Sequence, residues 1–157
     1  MFKIKKILEK IHIKIQLTFE NDLIYKKKYV KEINVEKIKI MVIDDSNTIR
    51  KSAEMFLTKA GYQVVCIEDG FEALTRINEE DPDLVFIDVL MPKIDGLQAC
   101  QVIKRNSKFK NTPVIFLSSK DSQFDKARGF MMGATDYLTK PFTKDGIIEI
   151  VNRYVKK

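Results

Sequence analysis

Beyond residue 38, short runs of β-branched and other apolar residues alternate with longer segments whose apolar positions recur at helical spacing. The short runs predict five strands, at residues 40–43, 63–67, 84–88, 114–117 and 135–138. The longer segments predict helices at residues 48–60, 70–80, 96–105, 123–132 and 144–155. Strand and helix therefore alternate five times, which is typical of an α/β fold.

The length of the connections between these strands predicts how the strands are arranged. A crossover that contains a helix places successive strands parallel, with a right-handed connection. We therefore expect a doubly wound five-stranded parallel sheet with helices on both faces and the flavodoxin-like strand order 2-1-3-4-5.

Polar side chains stand at the carboxyl ends of four of the predicted strands. They are Asp44 and Asp45 after the first strand, Asp88 at the end of the third, Ser118 after the fourth and Lys140 after the fifth. In an open parallel sheet the functional site lies beyond these strand ends, so we expect the five side chains to meet on one rim. Asp45 or Ser46 taken alone would also suit a helix cap. Five polar residues at four strand ends favour a site.

The chemistry of this rim points to a metal and a phosphoryl group. Three neighbouring carboxylates repel one another unless a hard cation lies among them. A few oxygen ligands that leave room for water and phosphate oxygens suit Mg²⁺. A lysine and a hydroxyl opposite the acids suit phosphoryl transfer, because that reaction depends on positioning and on neutralising the peripheral oxygens. The rim therefore predicts Mg²⁺-dependent transfer to a carboxylate nucleophile.

The chain resembles the receiver domain of bacterial two-component response regulators in four segments: VIDDSNTIR, DLVFIDVLMPKIDG, PVIFLSS and YLTKPF. The resemblance covers about residues 38–157. The stretch LSSKDSQFDKARGFMMGATDYLTKPF further resembles single-domain regulators of twitching-motility and chemotaxis-like systems.

This resemblance implies a metal site with four contributors. Asp88 would be the phosphorylated aspartate and would also contact Mg²⁺. Asp44 and Asp45 would form the acidic pair that holds the ion, with Asp45 the direct ligand of the two. The main-chain carbonyl of Leu90 would complete the protein's share of the coordination.

The resemblance also implies the groups that respond to the phosphoryl group. Ser118 would be the switch hydroxyl, and Lys140 would contact the phosphoryl oxygens and assist the transfer, ahead of a cis Lys140–Pro141 bond. Tyr137 would be the switch aromatic, although a tyrosine in a strand could also simply pack.

Two positions bear on how long the phosphoryl group would last. Leu90 and Lys120 stand two places after Asp88 and Ser118, where the family's side chains flank the path of the hydrolytic water. Leu90 cannot hydrogen-bond that water, and a charged Lys120 cannot accept its proton. We therefore expect a comparatively long-lived acyl phosphate.

The net charge of +6 is confined to the first part of the chain. Residues 1–39 hold eleven Lys and five Asp or Glu, whereas residues 40–157 hold seventeen basic and seventeen acidic residues. A neutral body offers no electrostatic footprint for a phosphate backbone. We divide the chain into a basic N-terminal arm, residues 1–37, and a receiver domain, residues 38–157, and expect no nucleic-acid binding by the domain itself.

The arm itself has a mixed pattern. Isoleucine and leucine recur at helical spacing among lysines from residue 4 to residue 15, which would suit a helix lying on an anionic membrane. From His12 to Phe19 the residues alternate with a period of two, which would equally suit a strand. We favour a flexible or partner-binding arm over membrane contact. An upstream start codon outside the true reading would also produce such a segment.

Other features narrow the setting in which the protein works. No stretch approaches the roughly eighteen uncharged apolar residues of a membrane span, and no cleavage site follows the lysine-interrupted N-terminus. We therefore expect a cytoplasmic protein. Cys66 and Cys100 lie far apart and outside any CxxC motif, which argues against a disulfide framework and a zinc site.

Two function classes remain. In the first, a sensor histidine kinase or phosphotransfer protein phosphorylates Asp88, and a downstream protein target reads the change at the surface of the fourth helix, fifth strand and fifth helix, in pilus motility or chemotaxis. Such a protein would be a monomer or weak dimer that slowly loses its phosphoryl group and is not a turnover enzyme. In the second, the chain is a non-phosphorylated receiver-like interaction module. The full set of acids and the lysine favour the first, and Leu90 stands where a haloacid-dehalogenase phosphatase would need a second acid.

Overall fold

The computed structural model describes residues 37–119 and 123–155, without the side chains of residues 123–125. Strands and helices alternate in the order β1 (Lys39–Ile43), α1 (Asn47–Lys59), β2 (Gln63–Ile67), α2 (Gly70–Glu80), β3 (Leu84–Asp88), α3 (Gly96–Arg105), β4 (Val114–Ser118), α4 (Gln123–Met131), β5 (Asp136–Thr139) and α5 (Lys144–Tyr154). All ten predicted elements are present, and their ends differ from the predicted ones by one residue at most.

The strands form one parallel sheet in the order β2-β1-β3-β4-β5. The predicted α/β class and the strand order 2-1-3-4-5 are confirmed. The chain runs outward from β1 to β2 and then returns past β1 to β3, so the strand order reverses between β1 and β3. In folds of this kind the site lies at the carboxyl ends of the strands beside that reversal.

Both faces of the sheet are buried beneath helices. Met41 and Ile43 of β1 belong to a core with buried residues of α2 and α3, such as Ile77 and Ile103. Ile40 and Val42 belong to a second core, on the other face, with buried residues of α1 and α5: Ala53, Leu57, Ile147, Ile150 and Val151. Burial on two faces explains why the central strands β1, β3 and β4 are largely apolar rather than alternating with polar residues.

Polar caps set where four of the helices begin. Ser46, Asp69, Asp95 and Thr143 each accept a hydrogen bond from a main-chain N–H group in the first turn of the helix that follows. Such caps satisfy N–H groups that have no partner within the helix. Ser46 caps α1, so Asp45 is not needed for that role.

Two earlier predictions fall outside the described residues. One is the N-terminal arm, of which only Lys37 is described, so its boundary with the receiver domain stays a prediction. The other is the role of Lys120. None of the helices within the described ranges has the length and apolar composition that crossing a bilayer requires.

Candidate functional site

Strand register brings Asp44 and Asp88 to neighbouring positions. Ile43 of β1 pairs with Ile87 of β3. Asp44 directly follows Ile43, and Asp88 directly follows Ile87. Asp44 has no exposed surface, and Asp88 is 5% exposed. Two acids are therefore held side by side at the reversal of strand order, as the sequence predicted.

Asp45 completes an acidic trio with these two residues. Each of the three carboxylates offers an oxygen, and these oxygens lie within 4.8 Å of one another. Asp45 is exposed, unlike its two partners. The donor set consists of hard oxygen ligands open to solvent on one side, which fits Mg²⁺ with retained water or phosphate oxygens.

The main-chain and side-chain polar groups of Asp44 form hydrogen bonds within the protein. Its N–H donates to the carbonyl oxygen of Ile67 at 3.2 Å, and its Oδ1 accepts from the N–H of Ser46 at 2.8 Å. Its Oδ2 accepts from Lys140 Nζ at 3.1 Å, and its carbonyl oxygen accepts from Arg50 Nη1 at 2.6 Å. This engagement leaves the exposed carboxylate of Asp45 as the more available of the two.

Lys140 provides the positive charge between the two buried acids. Its Nζ lies 3.1 Å from Asp44 Oδ2 and 3.1 Å from Asp88 Oδ1, and its side chain is 14% exposed. Burial opposes its charge, but hydrogen bonds and charge interactions with both carboxylates outweigh that effect and raise the pKa of Lys140. The lysine is therefore positively charged at neutral pH.

The strand framework also places Lys140. Thr139, the residue before it, pairs with Ser118 of β4, and the Lys140 N–H donates to the Ser118 carbonyl oxygen at 2.7 Å. The Lys140–Pro141 bond is cis, as predicted. The end of β5 thereby directs the lysine back across the rim toward β3.

The buried carboxylate of Asp88 is difficult to ionise. Burial raises the pKa of Asp88 to about 6, and the neighbouring Asp44 carboxylate adds to the rise, whereas Lys140 and the N–H of Leu90 oppose it. Burial and the Asp44 charge together therefore outweigh the stabilisation that Lys140 and the Leu90 N–H give the ionised carboxylate. A divalent cation would offset that difference.

The loop between β3 and α3 passes close to the main chain of Asp88. A Cβ atom at Gly96 would lie 2.9 Å from the carbonyl carbon of Asp88 and 3.0 Å from Val89 Cα, so a larger residue would push the loop away. The Leu90 N–H donates to Asp88 Oδ1 at 3.3 Å. Leu90 itself is 71% exposed. The loop thus keeps the backbone of Leu90 next to Asp88.

Ser118 and Tyr137 lie on the β4 and β5 side of the rim. Ser118 is 7% exposed, one position beyond Leu117, the register partner of Asp88. Tyr137 is half-buried, and its hydroxyl donates to the carbonyl oxygen of Lys126 at 3.3 Å. The tyrosine therefore links β5 to helix α4.

Two residues of this region were not predicted from the sequence. Arg50 contacts the main chain of Asp44, and Gly129 of α4 faces the ring of Tyr137. A signal existed for each. A cation in the first turn of a helix is electrostatically unfavourable, and a glycine within a helix lowers its stability, so both positions suggest a local requirement.

A doubly wound sheet whose carboxyl edge holds an acidic trio, a lysine and a hydroxyl defines the class of receiver domains. The chain belongs to the response regulator receiver domain family, whose model matches residues 40–152. Members of this family are signalling modules of two-component systems rather than turnover enzymes; they bind Mg²⁺ at an acidic pocket and interact with a histidine kinase or phosphotransfer protein and with downstream targets.

Individual relatives agree with this assignment. The chain is 51% identical to protein PilG of Pseudomonas aeruginosa over 118 residues, which are 75% of this chain and 87% of PilG. The structure of chemotaxis protein CheY4 of Vibrio cholerae is similar with a TM-score of 0.74 and 32% identity, over 76% of this chain and 99% of CheY4. The receiver domain of Francisella response regulator 1452 gives a TM-score of 0.69 and 36% identity, over 75% and 96% of the two chains. The resemblance seen in the sequence motifs is confirmed.

Proposed function

We propose that this protein is a response regulator that accepts a phosphoryl group on Asp88 in the presence of Mg²⁺. The observation that supports this most directly is the position of Lys140, whose Nζ lies 3.1 Å from carboxylate oxygens of both Asp44 and Asp88. In that position Lys140 would neutralise the charge on a phosphoryl group transferred to the neighbouring carboxylate of Asp88.

In the proposed reaction a carboxylate oxygen of Asp88 attacks the phosphorus of a phosphohistidine. The new O–P bond forms as the P–N bond breaks, and the electron pair stays on the departing imidazole. Asp45, Asp44, Asp88 and the carbonyl oxygen of Leu90 would hold Mg²⁺, which when bound neutralises phosphoryl oxygens. Lys140 would follow the phosphoryl group and loosen its contact with Asp44.

We further propose that Ser118 and Tyr137 transmit the change. Ser118 ends β4 beside Asp88, so its hydroxyl would donate to a phosphoryl oxygen. Tyr137 is tied to α4 through the Lys126 carbonyl, so its movement would alter the surface formed by α4, β5 and α5. A downstream protein target would read that surface.

The division of the chain and its setting complete the proposal. We assign residues 38–157 to the receiver domain and residues 1–37 to a separate basic arm; the family match over residues 40–152 supports this boundary. Similarity to PilG and to a chemotaxis protein supports a role in pilus motility or chemotaxis. We place the protein in the cytoplasm, with a sensor histidine kinase or phosphotransfer protein as donor and slow loss of the phosphoryl group.

The experiment that tests this function is phosphorylation with acetyl phosphate. The parent, Asp88→Asn and the matched control Asp145→Asn, an exposed acid of α5, are incubated with donor and Mg²⁺ or with donor and a chelator. We expect the mass of one phosphoryl group on the parent and on Asp145→Asn, at Asp88 after peptide mapping, and only with Mg²⁺. A parent that gains no mass would favour the non-phosphorylated interaction module. An Asp88→Asn variant that gains the mass equally would show that the phosphoryl group lies on another residue and would refute Asp88 as the acceptor.

A further inference from the structure

Arg50 lies in the first turn of α1 and reaches back to the end of β1. Its Nη1 donates to the carbonyl oxygen of Asp44 at 2.6 Å, and its side chain is 15% exposed. Its Nη2 lies 3.8 Å from Glu68 Oε2, but the Glu68 side chain is 70% exposed. The main-chain contact is therefore the substantial one, since an ion pair with an exposed partner contributes little.

The location of this arginine is unfavourable for the helix. The first turn of α1 contains no acidic residue, so no side chain of that turn offsets the charge of Arg50 at the positive end of the helix. Helix stability therefore does not explain a cation here. The half-buried guanidinium is stabilised by the carbonyl oxygen that it contacts.

The contacted carbonyl belongs to the peptide that joins Asp44 to Asp45. Because a peptide unit is planar, a hydrogen bond that fixes its oxygen also fixes its nitrogen, and with it the direction in which Asp45 leaves the strand. The Asp44 side chain has its own supports, from the N–H of Ser46 and from Lys140. Asp45 is exposed, so its placement depends more on the peptide before it.

We infer that Arg50 is a positioning residue for the metal site, which orients Asp45 toward the cation by holding the Asp44–Asp45 peptide. This inference rests on the proposed function, in which the acidic trio holds Mg²⁺. Groups that orient metal ligands without touching the metal typically change metal affinity by about tenfold or more when they are removed.

Charge alone predicts the opposite result. Arg50 is a cation near three carboxylates, so its removal would reduce repulsion of Mg²⁺ and raise the affinity. Loss of positioning would lower the affinity. The sign of the change therefore separates the two effects.

The test uses the full chain with Arg50→Met, which keeps the apolar stem but loses the charge and the donors. Lys51→Met is the matched control, since it removes one cation from the adjacent exposed position of α1. Glu68→Gln removes the ion-pair partner alone. Mg²⁺ affinity is measured by calorimetry, and the rate of phosphorylation by acetyl phosphate is measured as a function of Mg²⁺ concentration.

We expect Arg50→Met to weaken Mg²⁺ binding by about tenfold and to raise the half-saturating Mg²⁺ concentration equally. The rate at saturating Mg²⁺ should remain within about twofold of the parent, because the metal-loaded sites react alike. Lys51→Met should bind Mg²⁺ as well as the parent or better, Glu68→Gln should resemble the parent, and Arg50→Lys should lie between Arg50→Met and the parent.

An Arg50→Met variant that binds Mg²⁺ as tightly as the parent, or more tightly as charge predicts, would overturn the inference. If that variant does not fold by circular dichroism, Arg50→Gln, with a shorter donor, carries the same test and the same two outcomes. Failure of the proposed function looks different: the parent would bind Mg²⁺ in the calorimeter yet gain no phosphoryl group.

Discussion

The hydroxyl of Tyr137 occupies the space directly against Gly129, where a Cβ atom would overlap it and would lie 2.7 Å from Tyr137 Cζ. The ring makes edge contacts with Phe116 and Phe130, at centroid separations of 5.5 and 5.6 Å. The missing side chain of Gly129 thus leaves a notch in the surface of α4, and the hydroxyl end of the Tyr137 ring lies in that notch.

We expect Gly129→Ala to lower the free energy of unfolding by about 1–3 kcal/mol, because overpacking displaces the ring or the helix. Helix propensity alone predicts the reverse, a gain of about 1 kcal/mol. Urea denaturation of the full chain measures the difference. Gly146→Ala in α5 is the control, since its Cβ would meet Thr143 Oγ1 at 3.2 Å, a tight contact that a small shift relieves and not an overlap with a ring.

Removing the tyrosine ring tests the same notch. In a Tyr137→Ala background, Gly129→Ala should cost less than in the parent, because the clash with the tyrosine is gone, although the contact at 2.8 Å with Phe116 Cδ2 remains. An equal cost in both backgrounds would show that the ring and the glycine are not coupled.

The second prediction concerns the stability of the acidic site as pH changes in metal-free buffer. The pKa of Asp88 is about 6 in the folded protein and 3.8 in its ordinary state, so the folded state binds the proton more tightly. Below about pH 4 both states are protonated and Asp88 causes no destabilisation. As pH rises through about 6 the folded state must hold an unfavourable charge, and stability falls.

Asp88→Asn removes this charge and should therefore raise the melting temperature at pH 7.5 in the presence of a chelator. The gain should shrink toward zero near pH 4. Thermal denaturation of both proteins across this range measures it. A gain that is the same at every pH would mean that ionisation of Asp88 is not its source.

The third prediction ranks three side chains by their effect on Mg²⁺ affinity. Asp45→Asn should weaken binding most, since its carboxylate is exposed and available, and Asp44→Asn should weaken it less, since Ser46 and Lys140 already engage that carboxylate. Lys140→Ala should leave affinity at or above the parental value while uncoupling phosphorylation from partner binding. Calorimetric titration separates the three, and equal affinities would contradict the ranking.

The fourth prediction concerns the lifetime of the phosphoryl group. Replacing the exposed Leu90 by Asn and Lys120 by Glu would supply acceptors for the attacking water. We expect the acyl phosphate to decay about tenfold faster, a change of about 1.4 kcal/mol in the barrier. Decay is followed in excess Mg²⁺ after removal of the donor.

Val102→Asn is the control for this experiment, because it makes another exposed apolar position polar, on α3. The single variant Leu90→Asn shows how much of the effect belongs to the residue beside Asp88. Unchanged decay in the double variant would refute water exclusion as the cause of a long lifetime.

The sequence by itself determined the order and type of the elements. Uniformly apolar runs such as that of β3 indicate strands buried on both faces, and helical spacing indicates the segments that cover them. It also determined which side chains share the rim, because the carboxyl ends of parallel strands meet at one edge. Asp44, Asp88 and Lys140 are therefore found together as predicted.

Only the tertiary structure decided how each rim residue is held. Arg50 contacts a carbonyl six positions earlier, and Tyr137 packs against Gly129 on a neighbouring helix. No regular spacing of residues along the sequence predicts either contact. The different surroundings of Asp44 and Asp45 also depend on the tertiary structure. The sequence does not distinguish two adjacent aspartates, whereas in the fold Lys140, from the end of another strand, contacts Asp44. Periodicity reports which face a residue takes, whereas the reach of a long side chain and the space beside a glycine depend on the packed three-dimensional neighbours.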